Sequence, residues 1–236
     1  MYEWLAFSLL LVGVWLVIYV ARRSLRKEML WVSLFTSFTG FAEPLFVQAY
    51  WSPPSLFDLA RRTGFDVESL IFSFAVGGIA AVLYEAVLNV KHRKMSVAEV
   101  RISRRWFHLA SLASMPFVFF VLLIFTRVNP IYPLLIALFV GGIAAIACRP
   151  DLAKNTFVGG ALFAGLYFAF FLVVNTLFPR FIDSWNLSVL SGILVLNVPL
   201  EELLYGFTFG MYWSTIYEHF MWYTFSPSSG RRQEKL

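Results

Sequence analysis

The sequence predicts an all-α polytopic membrane protein of about seven transmembrane helices. They fall into two parallel three-helix repeats joined by a linker helix, with the N-terminus outside and the C-terminus cytoplasmic. Three observations predict this: the composition, the spacing of the apolar runs, and the one-sided placement of the basic residues. The chain is 59% hydrophobic and 14% charged, with a mean hydropathy of +0.72. A soluble domain averages roughly 45–50% apolar and about 25% charged. The excess apolar residues have no soluble core large enough to hold them, and lipid is the solvent that fits. Tyr and Trp suit interfacial belts, and the 26 Phe suit surfaces facing lipid or an apolar ligand.

A helical span needs about 20 mainly apolar residues. The candidate spans are 4–21, 29–50, 69–90, 106–126, 131–147, 155–178 and 198–223. The first has no basic residue before it and is followed by Arg22, Arg23, Arg26 and Lys27, so it reads as a retained span rather than a signal peptide. Segments 53–66 and 181–197 mix apolar and polar residues and read as interfacial or re-entrant connectors. Val189–Val198 is apolar enough for a buried half-helix. The tail Ser226–Leu236 is polar and without periodicity, and is expected to be disordered. The expected divisions are 1–90 (first repeat), 91–130 (loop and linker span), 131–223 (second repeat) and 224–236 (tail).

Loop charge sets the orientation. The loops after spans one, three and five, with the tail, carry Arg22, Arg23, Arg26, Lys27, Lys91, Arg93, Lys94, Arg101, Arg104, Arg105, Arg149, Lys154, Arg231, Arg232 and Lys235. The other side carries only Arg61, Arg62, Arg127 and Arg180. The positive-inside rule assigns the first set to the cytoplasm of a multi-pass protein of the cell membrane. Because the basic residues sit in short loops between apolar runs, the net charge of +5 does not point to nucleic acid. The single Cys148 permits no internal disulfide.

The chain also resembles itself. Asp66-Val-Glu-Ser-Leu-Ile-Phe-Ser-Phe-Ala-Val-Gly77 aligns with Pro199-Leu-Glu-Glu-Leu-Leu-Tyr-Gly-Phe-Thr-Phe-Gly210 at a spacing of 133 residues. Glu68 then matches Glu201, Gly77 matches Gly210, and Tyr84-Glu85 matches Tyr217-Glu218. Near a spacing of 127, Arg22, Leu25 and Lys27 match Arg149, Leu152 and Lys154. A single linker span makes the two repeats parallel.

Ionisable residues inside a membrane are expensive and are functional candidates by default. Glu43 lies deep in span two, Glu68 opens span three, and Glu201 and Glu202 open span seven. Pro199 suits a first helical turn, and the two carboxylates after it meet the positive end of the helix dipole. That alone accounts for a cap. Two adjacent carboxylates in lipid also leave one carboxyl acid and one carboxylate base, as acid–base catalysis needs. Glu85 and Glu218 read as carboxylates snorkelling at the interface, His92 and His219 as surface residues, and His108 as a hydrogen-bonded interface residue. Three dispersed His give no metal spacing. The sequence has no G-x-G-x-x-G, P-loop, H-E-x-x-H or G-x-S-x-G motif, and no lysine in span seven to hold a retinal.

With these motifs, the chain resembles the lycopene cyclase domain family, the membrane-integral, non-flavoprotein type found as two small subunits or one fused chain. The features that carry the resemblance are Pro199-Leu-Glu201-Glu202-Leu-Leu-Tyr, Gly210, Tyr217-Glu218, Arg149-Pro-Asp151-Leu and Trp185. In the first half they are Glu43-Pro44, Tyr50-Trp51, Glu68, Gly77-Gly78 and Tyr84-Glu85. The first half departs from the pattern: Asp66-Val67-Glu68-Ser69 lacks the proline and the second carboxylate, so one complete acid–base set is expected. The resemblance implies a non-redox cyclisation without cofactor or metal. A carboxylic acid protonates the end double bond of a linear polyene, the next double bond attacks the cation, and a base removes a proton. Glu201, Glu202, Glu68 and Glu43 are the implied catalytic set. Phe72, Phe74, Tyr205, Phe207 and Trp213 are the implied substrate wall, and Pro199, Asp66, Arg149, Asp151, Glu85 and Glu218 the structural motif. The implied partners are a lipophilic carotenoid or isoprenoid substrate, the lipid bilayer and a further membrane protein of the carotenoid pathway. Two other classes fit the span pattern. A transporter with parallel repeats would need a polar pathway near Asn175 and Asn197, and a non-catalytic isoprenoid-binding relative would need no second carboxylate.

Overall fold

The computed structural model describes residues 3–103 and 107–225. The elements run α1 (Glu3–Ala21), α2 (Arg26–Ser37), α3 (Leu59–Thr63), α4 (Val67–Leu88), β1 (His92–Lys94), α5 (Val97–Ser103), α6 (His108–Phe125), α7 (Ile131–Cys148), α8 (Ala153–Leu177), β2 (Leu194–Val195), β3 (Val198–Pro199), α9 (Leu200–Trp213), α10 (Ile216–Met221) and β4 (Tyr223–Phe225). The described chain is thus nearly all helical. Five helices are long and apolar enough to cross a membrane: α1, α4, α6, α7, and α8 with the turn before it.

The other two expected spans are each broken. The first continues α2 as a 3-10 segment, Phe38–Leu45, and then turns. Pro44 cannot continue an α-helix, because it lacks the N–H and crowds the preceding turn. Gly40 lets this segment press on the start of α4, where an added Cβ would stand 2.8 Å from the Ser69 carbonyl oxygen. The freed backbone groups are satisfied locally: the Glu43 carbonyl accepts from Phe46 and Val47 N–H, and Asn129 Nδ2 donates to the Ala49 carbonyl. The second broken span divides into α9 and α10 at Ser214–Thr215. There Asn155 Nδ2 donates to the Ser214 carbonyl at 2.7 Å. Buried irregular backbone therefore keeps its partners at both breaks.

In the first half α4 packs between α1 and α2, and in the second half α9 packs between α7 and α8. The helix α4 also touches α8 and α9, which joins the halves, and α6 packs along α7. Matched glycines permit close approaches in both halves. A Cβ on Gly77 would collide with Thr36 of α2, and one on Gly210 would stand 2.8 Å from Phe163 Cβ of α8.

One connector differs from expectation. Segment 53–66 forms a 3-10 turn and the short α3, ending at Gly64 with φ +77°. Segment 181–197 is not a buried half-helix. It makes two 3-10 turns and then the β2–β3 hairpin, with β2 exposed and β3 buried, whose turn residues Leu196 and Asn197 both have positive φ. That backbone twist matches a tight hairpin and cannot extend into a helix. In the last segment, β4 pairs with β1 through Phe225, two residues into the expected tail. Residues 226–236, with Arg231, Arg232 and Lys235, lie outside the described residues, as do Arg104 and Arg105.

Candidate active site

A cavity of about 280 Å³ lies between the two halves. Its walls are mainly aromatic: Trp4, Phe7, Phe46, Tyr50, Trp51, Phe72, Phe119, Phe120, Tyr167, Phe171, Trp185, Tyr205, Phe209 and Trp213. Two carboxylates face it, Glu43 from the broken second span and Glu202 from the first turn of α9.

Glu202 is buried and heavily hydrogen-bonded. Oε1 accepts from the Tyr50 hydroxyl at 2.5 Å and from Trp185 Nε1 at 2.9 Å, and Oε2 accepts from the Tyr167 hydroxyl at 3.0 Å. Tyr50 reaches it from the other half of the chain. Glu43 has one such donor, Trp51 Nε1 at 2.8 Å. Trp51 and Trp185 meet through a backbone bridge, with ring centroids 5.4 Å apart. Each tryptophan therefore holds one cavity carboxylate, and the pair ties the two together.

The sequence reading paired Glu201 with Glu202, but the helix turns them apart. Glu201 faces the connector, where Oε1 accepts from Ser191 N–H at 2.8 Å and the Tyr132 hydroxyl at 2.9 Å. Its repeat counterpart Glu68 does the same, accepting from Leu56 N–H at 2.6 Å. Neither lines the cavity. Consecutive helical residues are rotated by about 100°, so adjacent carboxylates cannot point to one spot. The cavity face of α9 is Glu202, Tyr205, Phe209 and Trp213, spaced three or four residues apart. On α4 the same face holds Ser69, Phe72 and Ser73. Ser69 occupies the repeat position of Glu202, and Glu43 brings a carboxylate to the same wall from a different element. Phe74 and Phe207, expected in the substrate wall, lie off it for the same angular reason; Phe74 stacks on Trp15. Trp213 does line the cavity, and its Nε1 donates to Thr36 Oγ1 at 2.6 Å. Phe209 and Tyr167 were missed by the sequence reading, and Tyr50 entered it as a family feature but not as a site residue. The three-and-four spacing from Glu202 carries the signal for Phe209. No local signal exists for Tyr167, which α8 brings in.

Asp66, Pro199 and Arg149 of the motif contact neighbouring backbone and side chains away from the cavity. Asp66 caps α4, accepting from Ser69 N–H at 2.6 Å and from Trp4 Nε1 at 3.1 Å. Pro199 is the residue before α9, its backbone extended and paired with Leu194. Arg149 is fully buried; it makes a two-point contact with Asp151 and donates to the carbonyls of Glu218 and Tyr223. Asn175 bonds the Asn197 carbonyl at an exposed position and lines no pathway through the cavity.

The readings of Glu85, Glu218, His92 and His219 as interfacial or surface residues are corrected. Glu85, Glu218 and His219 are buried. Glu28, Glu85 and Glu218 surround a half-buried His92, whose Nε2 lies 2.8 Å from Glu218 Oε1. Burial opposes charge on His92, but its contacts with Glu218, Glu85 and Glu28 outweigh it and push its pKa up to about 11. His219 Nδ1 lies 3.1 Å from the Thr215 carbonyl oxygen, and His108 Nδ1 lies 3.2 Å from Cys148 Sγ.

The fold and cavity define an apolar helical protein with two carboxylates facing one aromatic chamber. Residues 129–220, which hold α7 to α10, match the family model for lycopene cyclase. That is the family whose motifs the sequence resembles. No curated protein and no solved structure matches the chain.

Proposed function

We propose that this protein cyclises the end group of a linear carotenoid-type polyene by acid–base chemistry, with Glu43 and Glu202 as the working pair. The observation that carries the reading is the chamber itself: two carboxylates, one from each half, on a mainly aromatic cavity. The lycopene cyclase match over residues 129–220 supports the reaction class.

The hydrogen bonding supports a division of roles. Glu202 accepts from three donors, so both of its oxygens are in use as acceptors. It serves as the counter-ion to the carbocation and as the base that removes the final proton. Glu43, with one donor, is the acid that protonates the terminal double bond. Protonation at the chain end leaves a tertiary cation; the neighbouring double bond closes the ring on it, and loss of a proton restores neutrality. No electron is gained or lost overall. Aromatic faces stabilise the cation through their quadrupoles, and a dry chamber prevents its capture by water. Ligand pockets run from about 300 to 1,000 Å³, so a cavity near 280 Å³ suits one end of a long polyene.

We further read the chain as a multi-pass protein of the cell membrane with seven crossings, the broken elements 26–45 and 200–221 supplying the second and seventh. The parallel repeats are supported by the matched packing of α4 and α9, by the matched Gly77 and Gly210, and by the equivalent anchoring of Glu68 and Glu201. Loop charge supports an outside N-terminus.

The test is expression in a lycopene-accumulating bacterium, with pigments separated by chromatography. Ring-containing product is expected. Intact lycopene alone, with the protein confirmed in the membrane, contradicts the proposal.

A further inference from the structure

The far end of the bundle holds a second group of carboxylates. From Glu68 to Glu85 along α4 is about 25 Å at 1.5 Å per residue, so this group is separate from the chamber. Glu28 of α2, Glu85 of α4, His92 of β1 and Glu218 of α10 each offer one ligand atom, and all four atoms lie within 4.8 Å of one another. The three glutamates are 3%, 1% and 0% exposed. Glu85 and Glu218 are repeat counterparts, one from each half.

Their charge is not balanced by the side chains around them. Among the described residues, His92 alone forms ion pairs with them. Arg22 is spent on the Ala86 carbonyl and Asn89, and Arg149 on Asp151 and two carbonyls. Glu28 Oε1, both Glu85 oxygens and Glu218 Oε2 are buried without a hydrogen-bond partner among the described residues. Buried carboxylates without partners are strongly unfavourable, and such groups pair or coordinate metals.

We propose that Glu28, Glu85, His92 and Glu218 bind one divalent first-row transition-metal ion, of manganese, iron or zinc chemistry, that clamps the two halves at the end opposite the chamber. Ligand atoms at about 2.1 Å from an ion stand up to about 4.2 Å apart, so a small inward rotation of these side chains closes the site. Three hard oxygens with one imidazole nitrogen suit these ions better than calcium or magnesium, which take oxygen ligands. The ion would bind neutral imidazole. It also ties β1, and through it β4, to the helix ends.

The inference is independent of the cyclase reading, and its test uses no activity. The full chain, purified in detergent, is stripped with chelator, incubated with Mn²⁺, Zn²⁺ or Mg²⁺, and passed through gel filtration. One equivalent of Mn²⁺ or Zn²⁺ should remain with the protein, with far less Mg²⁺, and the loaded protein should melt at a higher temperature than the stripped one. The Glu85→Gln/Glu218→Gln double variant should bind at least about tenfold more weakly. Wild-type protein that retains no stoichiometric Mn²⁺ or Zn²⁺ overturns the proposal, even if the variant does not fold. A folded variant that retains as much metal as wild type overturns it as well.

Discussion

Replacing Glu202 by glutamine separates its chemical role from its structural one. The glutamine carbonyl can stand where Oε1 accepts from Tyr50 and Trp185, and the Tyr167 hydroxyl can turn to accept from the new amide. The stability loss is then that of one charge-assisted hydrogen bond, about 1.5–3 kcal/mol. The loss in chemistry is larger. A positioned acid or base contributes roughly 10²–10⁴ in rate, which is about 2.7–5.4 kcal/mol of barrier. Alanine behaves differently, because it leaves three buried donors without an acceptor. At about 1–3 kcal/mol each, the sum of roughly 3–9 kcal/mol approaches the whole stability of a domain. Glu202→Gln should therefore accumulate in the membrane and yield at most about one-hundredth of the ringed pigment, whereas Glu202→Ala should fail to accumulate. Pigment chromatography of lycopene-accumulating cells, with protein quantified by immunoblot, gives both readouts. A Glu202→Gln variant that cyclises at the wild-type rate refutes the reasoning, whatever its stability.

Two further predictions concern packing. Gly77→Ala and Gly210→Ala should each lower stability by about 1–3 kcal/mol, since the added methyl meets Thr36 or Phe163. Gly13→Ala, which meets nothing within 4 Å, should leave it unchanged, and thermal unfolding in detergent compares the three. Arg149→Lys should be among the most damaging single charge-conserving changes, since lysine cannot reproduce the fork on Asp151 or reach both carbonyls. Asp151 itself is exposed, so a loss of about 1.5–3 kcal/mol is expected, that of a hydrogen bond to a charged group, and the same unfolding assay reads it.

The helices and the site were legible in the sequence to different depths. Hydropathy located the five helices that are long and apolar enough to cross a membrane, because lipid solvation imposes a length that no soluble core requires. It could not tell that 29–50 and 198–223 are broken, since Gly40, Pro44 and Ser214 change the backbone without changing the apolar average. The 133-residue repeat was informative beyond its motif. Phe72 and Tyr205, paired by it, both face the chamber, while Phe74 and Phe207, also paired, both miss it. Helical angle decides between them, and that was readable from numbering alone, as was the divergence of Glu201 from Glu202. Glu43 was found by the rarity of a carboxylate in an apolar run. The Tyr50 and Tyr167 contacts on Glu202, and the gathering of Glu28, Glu85, His92 and Glu218, depend on helices far apart in sequence, and no local pattern encodes them.

The central claim is that Glu43, not the carboxylate at the repeat position of Glu201, serves the first half of the chamber. Glu43 and Glu68 are both acidic, both in the first half, and both hydrogen-bonded; only Glu43 lines the cavity. The direct measurement is the pigment profile of Glu43→Gln beside Glu68→Gln, at matched membrane abundance. The account predicts that Glu43→Gln leaves lycopene uncyclised while Glu68→Gln still forms rings. Ring formation by Glu43→Gln, with its loss in Glu68→Gln, would contradict it.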